Sequence, residues 1–141
     1  MTPTLMGRWQ TRLLLLTGIG VPVTLFYSIV YGLLLGNWWS VWLFLFGVLI
    51  FGLGWDVLYN LLQQTRWDHD WPPFAQWAAA IWEAIFIYLV HLIFVLLGGA
   101  FVGPIAFILH YFTIFSLLFA ANHSIMRILF PRWRFRGGQI L

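Results

Sequence analysis

The sequence predicts an all-α integral membrane protein, a bundle of four transmembrane helices with no extramembrane domain, and three observations predict it. Of 141 residues, 62% are apolar and 8% charged, a balance that needs lipid as solvent. The apolar residues gather into four runs of spanning length. Every arginine flanks the same ends of those runs.

The first span is expected over about 13–35 and the second over about 38–62, joined by little more than Gly36-Asn37 in a tight hairpin. The third is expected over about 74–97, after a polar loop, and the fourth over about 104–128, before a basic tail that fills 129–141. At ~1.5 Å per residue each run crosses a ~30 Å hydrocarbon core with some tilt. The apolar run behind Arg8 and Arg12 is of span length, longer than a signal core, and no clear cleavage site follows it, so it is expected to be retained. Pro22 lies inside the first span and is expected to kink it or free the Gly18 carbonyl. Pro72-Pro73 and Pro104 stand at span starts, where a missing N–H costs nothing. Small residues four apart, Gly32 and Gly36, Ala80 and Ala84, and Gly99 and Gly103, could let helices approach closely.

With four spans the termini and the middle loop share a side, and that side holds Arg8, Arg12, Arg66, Arg127, Arg132, Arg134 and Arg136. The other two loops carry no charge, so the positive-inside rule predicts that both termini are cytoplasmic. Trp38, Trp39 and Trp42 are expected at the outer interface, and Trp9, Trp67, Trp71, Trp77 and Trp133 at the inner one.

Composition also removes chemistries. Without cysteine or lysine there is no disulfide, thiol nucleophile, Cys-ligated metal or Schiff base. No histidine box and no serine with an evident base point to an enzyme. The arginines flank apolar runs and form no broad basic surface, which indicates anionic lipid headgroups as partners and not nucleic acid.

Ionisable side chains inside a membrane cost ~2.5–3.5 kcal/mol each at a helix centre, so each one needs a partner or a purpose. Counting helical rise puts Asp56, Glu83 and His123 roughly 5–15 Å from the cytoplasmic ends of their spans. Asn60 shares the Asp56 stripe, so these four form a candidate inner cluster. They could hold a divalent cation, relay a proton, or bind an arginine from the tail or a partner. A purely structural role, with the acids held by neighbouring amides, hydroxyls and arginines, is the bland alternative. His91 and His110 match in depth on the third and fourth spans, a candidate outer pair for haem b. Bulky neighbours and nearby hydroxyls favour packing and hydrogen bonding instead. His110 and His123 lie about 140° apart around one helix and so do not share a pathway.

Arg66, Asp68, His69 and Asp70 make the densest polar segment, read as a tryptophan-anchored turn that could dock another protein. Arg132, Arg134 and Arg136 alternate with aromatic residues and are expected to contact anionic lipid headgroups. The leading functional expectation is a structural or accessory subunit of a larger membrane complex, respiratory or photosynthetic, or of a homo-oligomer, in a bacterial inner or photosynthetic membrane. The competing expectation is a proton, cation or electron carrier.

Overall fold

The computed structural model describes residues 3–67, 69–133 and 135–140. It consists of α1 (Leu5–Leu15), a π-helical turn (Leu16–Gly20), α2 (Val21–Leu35), α3 (Ser40–Gln64), α4 (Pro73–Leu96), α5 (Pro104–His123) and α6 (Ile125–Leu129). No strand occurs among the described residues. The helices group into four rods, Leu5–Leu34, Ser40–Gln64, Pro73–Leu96 and Pro104–Leu129, each long and apolar enough to cross a membrane.

The first rod differs from the expected span in two ways. It starts at Leu5, ahead of the apolar run, because Thr4 accepts a hydrogen bond from the Gly7 N–H and caps the helix. Arg8 and Arg12 therefore lie on the helix and not in a flanking segment. The strain at Pro22 is taken up by the π-helical turn just before it, where the Val21 N–H reaches the Leu16 carbonyl. Widening the helix there removes the clash between the proline ring and the carbonyl one turn earlier.

The hairpin between α2 and α3 is fixed by Asn37, whose Oδ1 accepts from both the Ser40 N–H and the Ser40 hydroxyl. Pro73 and Pro104 occupy the first turns of α4 and α5. The fourth rod breaks at Ser124, whose hydroxyl donates to the Ala120 carbonyl at 2.6 Å and competes with the backbone ladder.

Cross-rod contacts show an up-down-up-down ring. Trp55 meets Trp82 and Phe51 meets Phe86 between α3 and α4, while Trp77 meets Phe115 between α4 and α5. Between α2 and α5 the Tyr27 hydroxyl bonds Thr113 and the Tyr31 hydroxyl donates to the Ala106 carbonyl at 2.7 Å. The main core joins Tyr31, Val41, Phe44, Ala80, Ala84, Ile87, Phe107 and Tyr111. Leu33, Ile50, Phe46 and Ile93 are exposed on the outside, while Thr24, Ser28, Asp56, Glu83, His91 and His110 are buried inside. The bundle thus turns large apolar side chains outward and keeps these polar groups inside an otherwise apolar core.

At one end the chain's extremities meet. The Thr4 N–H donates to the Gly137 carbonyl at 2.7 Å, the Thr11 hydroxyl to the Gly138 carbonyl, and the Ile140 N–H to Gln10. Trp133, expected at an interface, is instead buried with Leu15, Ala121 and Met126, and its indole N–H donates to Thr11. The tail folds back over α1 because Gly7 of α1 lets backbone lie directly on backbone: a Cβ there would clash with the Gly137 oxygen.

Candidate functional site

Arg8 and Arg12 are one helical turn apart on α1 and both point at α3. Arg12 enters the bundle interior. Its Nε and Nη2 donate to the two oxygens of Asp56 at 2.8 and 3.0 Å. Its Nη1 and Nη2 donate to Glu83 on α4 at 3.1 and 3.2 Å, and Nη1 also reaches the Val48 carbonyl at 3.4 Å. These contacts use every N–H of the planar fork, which no other side chain could supply in that geometry. The space comes from Gly52, where a Cβ would stand 2.1 Å from Nη1.

Both carboxylates are nearly inaccessible, with Asp56 and Glu83 each 4% exposed. Two acids against one guanidinium leave a formal deficit of positive charge. Arg8 restores the balance from the next turn, where its Nη2 donates to Gln63 at 2.7 Å and its guanidinium lies 4.6 Å from the Trp71 ring centre. Gln63 in turn donates to the His69 carbonyl at 2.7 Å, so the middle loop is tied to α1 through this amide and through Trp71.

Asp56 and Glu83 of the predicted inner cluster thus come together through Arg12. His123 does not join them: its Nδ1 bonds the Phe119 carbonyl at 2.9 Å and its ring stacks on Phe119 at 4.3 Å. It faces a smaller recess shared with Asp70, Gln76 and Arg127. Asn60, half-buried on α3, is not among the groups that hold the two acids. Among the described residues, no three His, Asp or Glu side chains converge on one point as metal ligands would.

The outer histidines serve separate neighbours. His91 Nε2 accepts from the Val102 N–H at 3.1 Å, and His110 Nε2 lies 3.0 Å from the Thr24 hydroxyl. Both rings pack against Phe44, at 4.9 and 6.2 Å between centres. Haem ligation needs a free imidazole nitrogen on each side of an open slot, and here both Nε2 atoms are engaged and a buried phenyl ring touches both imidazoles. The geometry does not fit the expected haem b pair.

In the middle loop, His69 adopts a left-handed backbone (φ 50°) and its N–H bonds the Arg66 carbonyl, closing the turn. Arg66 and Asp70 also take part in interactions of their own. In the tail, Arg132 and Arg136 are exposed. Asp68 and Arg134, singled out with them in the sequence, lie outside the described residues.

A partly open cavity of about 230 Å³ lies between these groups. Arg8, Arg12, Asp56 and Glu83 line its polar part; Leu15, Ala80, Tyr111, Ile114, Phe115 and Leu118 line the rest. Sequence reasoning missed Arg12 as the centre of the site. The signal was present: two buried acids require a cation, and Arg8 and Arg12 sit at helical spacing directly before the first apolar run. Comparison of the chain with protein-family models, curated proteins and solved structures finds no match.

Proposed function

We propose that this chain is an integral membrane protein, inserted with both termini cytoplasmic, that serves as a structural or accessory subunit of a larger membrane assembly. The observation that carries this reading is the saturation of Arg12. Its five contacts lock three rods together and leave the acids of the bundle interior committed to one cation. A closed, fully hydrogen-bonded ion cluster specifies a packing arrangement and does not readily release an ion.

The proposed orientation is supported by the described arginines, which belong to the end where the extremities and the middle loop gather. Insertion itself is supported by the apolar outer surface over all four rods. The proposed cytoplasmic end offers docking residues: Trp67 is 92% and Phe135 89% exposed, and Arg132 and Arg136 are exposed as well. Aromatic side chains with nearby arginine are the composition of interaction surfaces. A bacterial inner or photosynthetic membrane is the setting proposed.

The test is extraction of the tagged protein from its native membrane in mild detergent, with co-purifying chains identified by mass spectrometry. A stoichiometric partner that is lost on Trp67→Ser is expected. Recovery of the chain alone, as a monomer, would defeat the proposal.

A second reading, a proton or cation carrier, has one observation in its favour: Asp56 and Glu83 both line the cavity. It predicts that Glu83→Gln stops flux into liposomes while the fold survives. Equal flux in wild type and variant would remove it.

A further inference from the structure

Among the described residues, three buried side-chain atoms have no hydrogen-bond partner in the protein: Arg8 Nε, Asn122 Oδ1 and His110 Nδ1. All three belong to residues on the wall of the same cavity. Buried polar atoms are almost always paired, with protein or with ordered water, so the coincidence of Arg8 Nε and Asn122 Oδ1 on one wall points to a hydrogen-bonding occupant there. Arg8 and Asn122 both belong to the cavity's cytoplasmic end: Arg8 stacks on Trp71, and Asn122 borders the recess that Trp71, Gln76 and Trp133 also line. His110 lies at the deep end, beside Thr24.

Charge limits what can enter. Arg8, Arg12, Asp56 and Glu83 sum to zero, and a ligand with net charge would stand uncompensated in a medium of low dielectric. The occupant is therefore neutral. Its head must accept from a guanidinium N–H and donate to an amide oxygen, which a single hydroxyl does. Its body must be apolar and suits an aromatic ring, because Tyr111, Phe115, Phe119 and Trp133 supply ring edges and faces. A cavity of 150 Å³ accepts benzene, so one of about 230 Å³ takes on the order of ten non-hydrogen atoms.

We propose that the cavity is a binding site for a small neutral phenol, with its hydroxyl between Arg8 and Asn122 and its ring among Ala80, Tyr111, Ile114 and Leu118. The site does not depend on the accessory-subunit reading, since binding is measured on the isolated chain and partner capture is not.

The probe is 4-propylphenol, titrated calorimetrically into the full chain in lipid nanodiscs, with empty discs as reference. Propylbenzene and 4-propylbenzoate are the controls. The phenol is expected to bind saturably at one site. Propylbenzene and the benzoate should each bind at least about tenfold more weakly, the loss of a hydrogen bond to a charged group and the burial of a charge respectively. Asn122→Ala should weaken the phenol about tenfold and leave propylbenzene unchanged. Leu118→Phe, which fills the apolar part, should abolish binding of both, with helicity checked by circular dichroism. Equal binding of phenol and propylbenzene, tighter binding of the benzoate, unchanged binding in a folded Leu118→Phe variant, or no saturable binding would each overturn the proposal. If Asn122→Ala does not fold, the ligand series and Leu118→Phe still decide it.

Discussion

The two ends of the bundle bury polar groups by different means. At the arginine-bearing end, charge answers charge: Arg12 saturates Asp56 and Glu83, and the long side chains leave a cavity beside them. Toward the opposite end imidazoles are held singly, His91 by the Val102 N–H and His110 by Thr24, with Phe44 packed against both rings and His110 bordering the deep end of the cavity. An ion cluster does not tolerate loss of its central cation, because removing Arg12 strands both carboxylates. A neutral hydrogen bond forfeits only itself and the packing around it. The arginine end should therefore be brittle and the histidine end forgiving.

Removing Arg12 is the severest break. Arg12→Leu leaves two carboxylates buried without a cation, and loss of one member of a buried pair costs about 3–5 kcal/mol. Unfolding in detergent with added denaturant should show this as collapse of the folded fraction. Neutralising the partners as well, in Arg12→Leu/Asp56→Asn/Glu83→Gln, should restore most of the loss, since replacing a whole buried cluster is often near neutral. A loss under about 1 kcal/mol in the single variant would mean that the acids are not truly desolvated.

Gly52→Ala probes the same cluster without touching a charge. The added methyl group occupies the place of Nη1 and pushes the guanidinium off Glu83, with an expected cost of about 1–3 kcal/mol from overpacking. An effect as large as that of Arg12→Leu would show that the cluster has only one stable arrangement. At the other end, His91→Leu strands the buried Val102 N–H and should cost a similar ~1–3 kcal/mol in the same assay. The comparison of the ends fails if His91→Leu is as damaging as Arg12→Leu.

The contrast also explains what the sequence made legible. Four apolar rods and a short first hairpin follow from composition and length alone, because lipid forbids unpaired backbone. Depth along a rod was countable too, so Asp56 and Glu83 could be assigned to one level. Which neighbour each helix face meets was not. His123 matches that level yet bonds Phe119 on its own helix, and His91 and His110 match each other yet bond different neighbours. Arg12 was hidden for a second reason: arginines next to an apolar run usually snorkel outward, and only the acids waiting across the bundle turn this one inward. The tail carries no apolar period to betray its fold, and its docking on α1 rests on glycine backbone contacts that leave no pattern in the sequence.

That docking gives a smaller effect at the arginine end, and separates the ion cluster from its lid. Gly7→Ala forces the tail away from α1 and breaks the hydrogen bonds from Thr4 and Thr11, each worth about 0.5–1.5 kcal/mol net. Limited proteolysis should cut the variant near 130–140 much faster than wild type, with the bundle itself intact. Unchanged cleavage would show that the clasp is stronger than its contacts imply.

The smallest effect tests whether brittleness belongs to the whole end or only to its interior. Arg132 and Arg136 share that end with Arg12 but are exposed, so their charges keep their hydration and strand no partner when lost. Arg132→Gln/Arg136→Gln should shift stability by less than about 0.5 kcal/mol. The same variant should weaken association with anionic liposomes by about 1 kcal/mol per arginine removed, and this loss should fade as salt rises. Stability and surface binding would then divide along the line between buried and exposed arginine, with Arg12 governing the first and the tail the second.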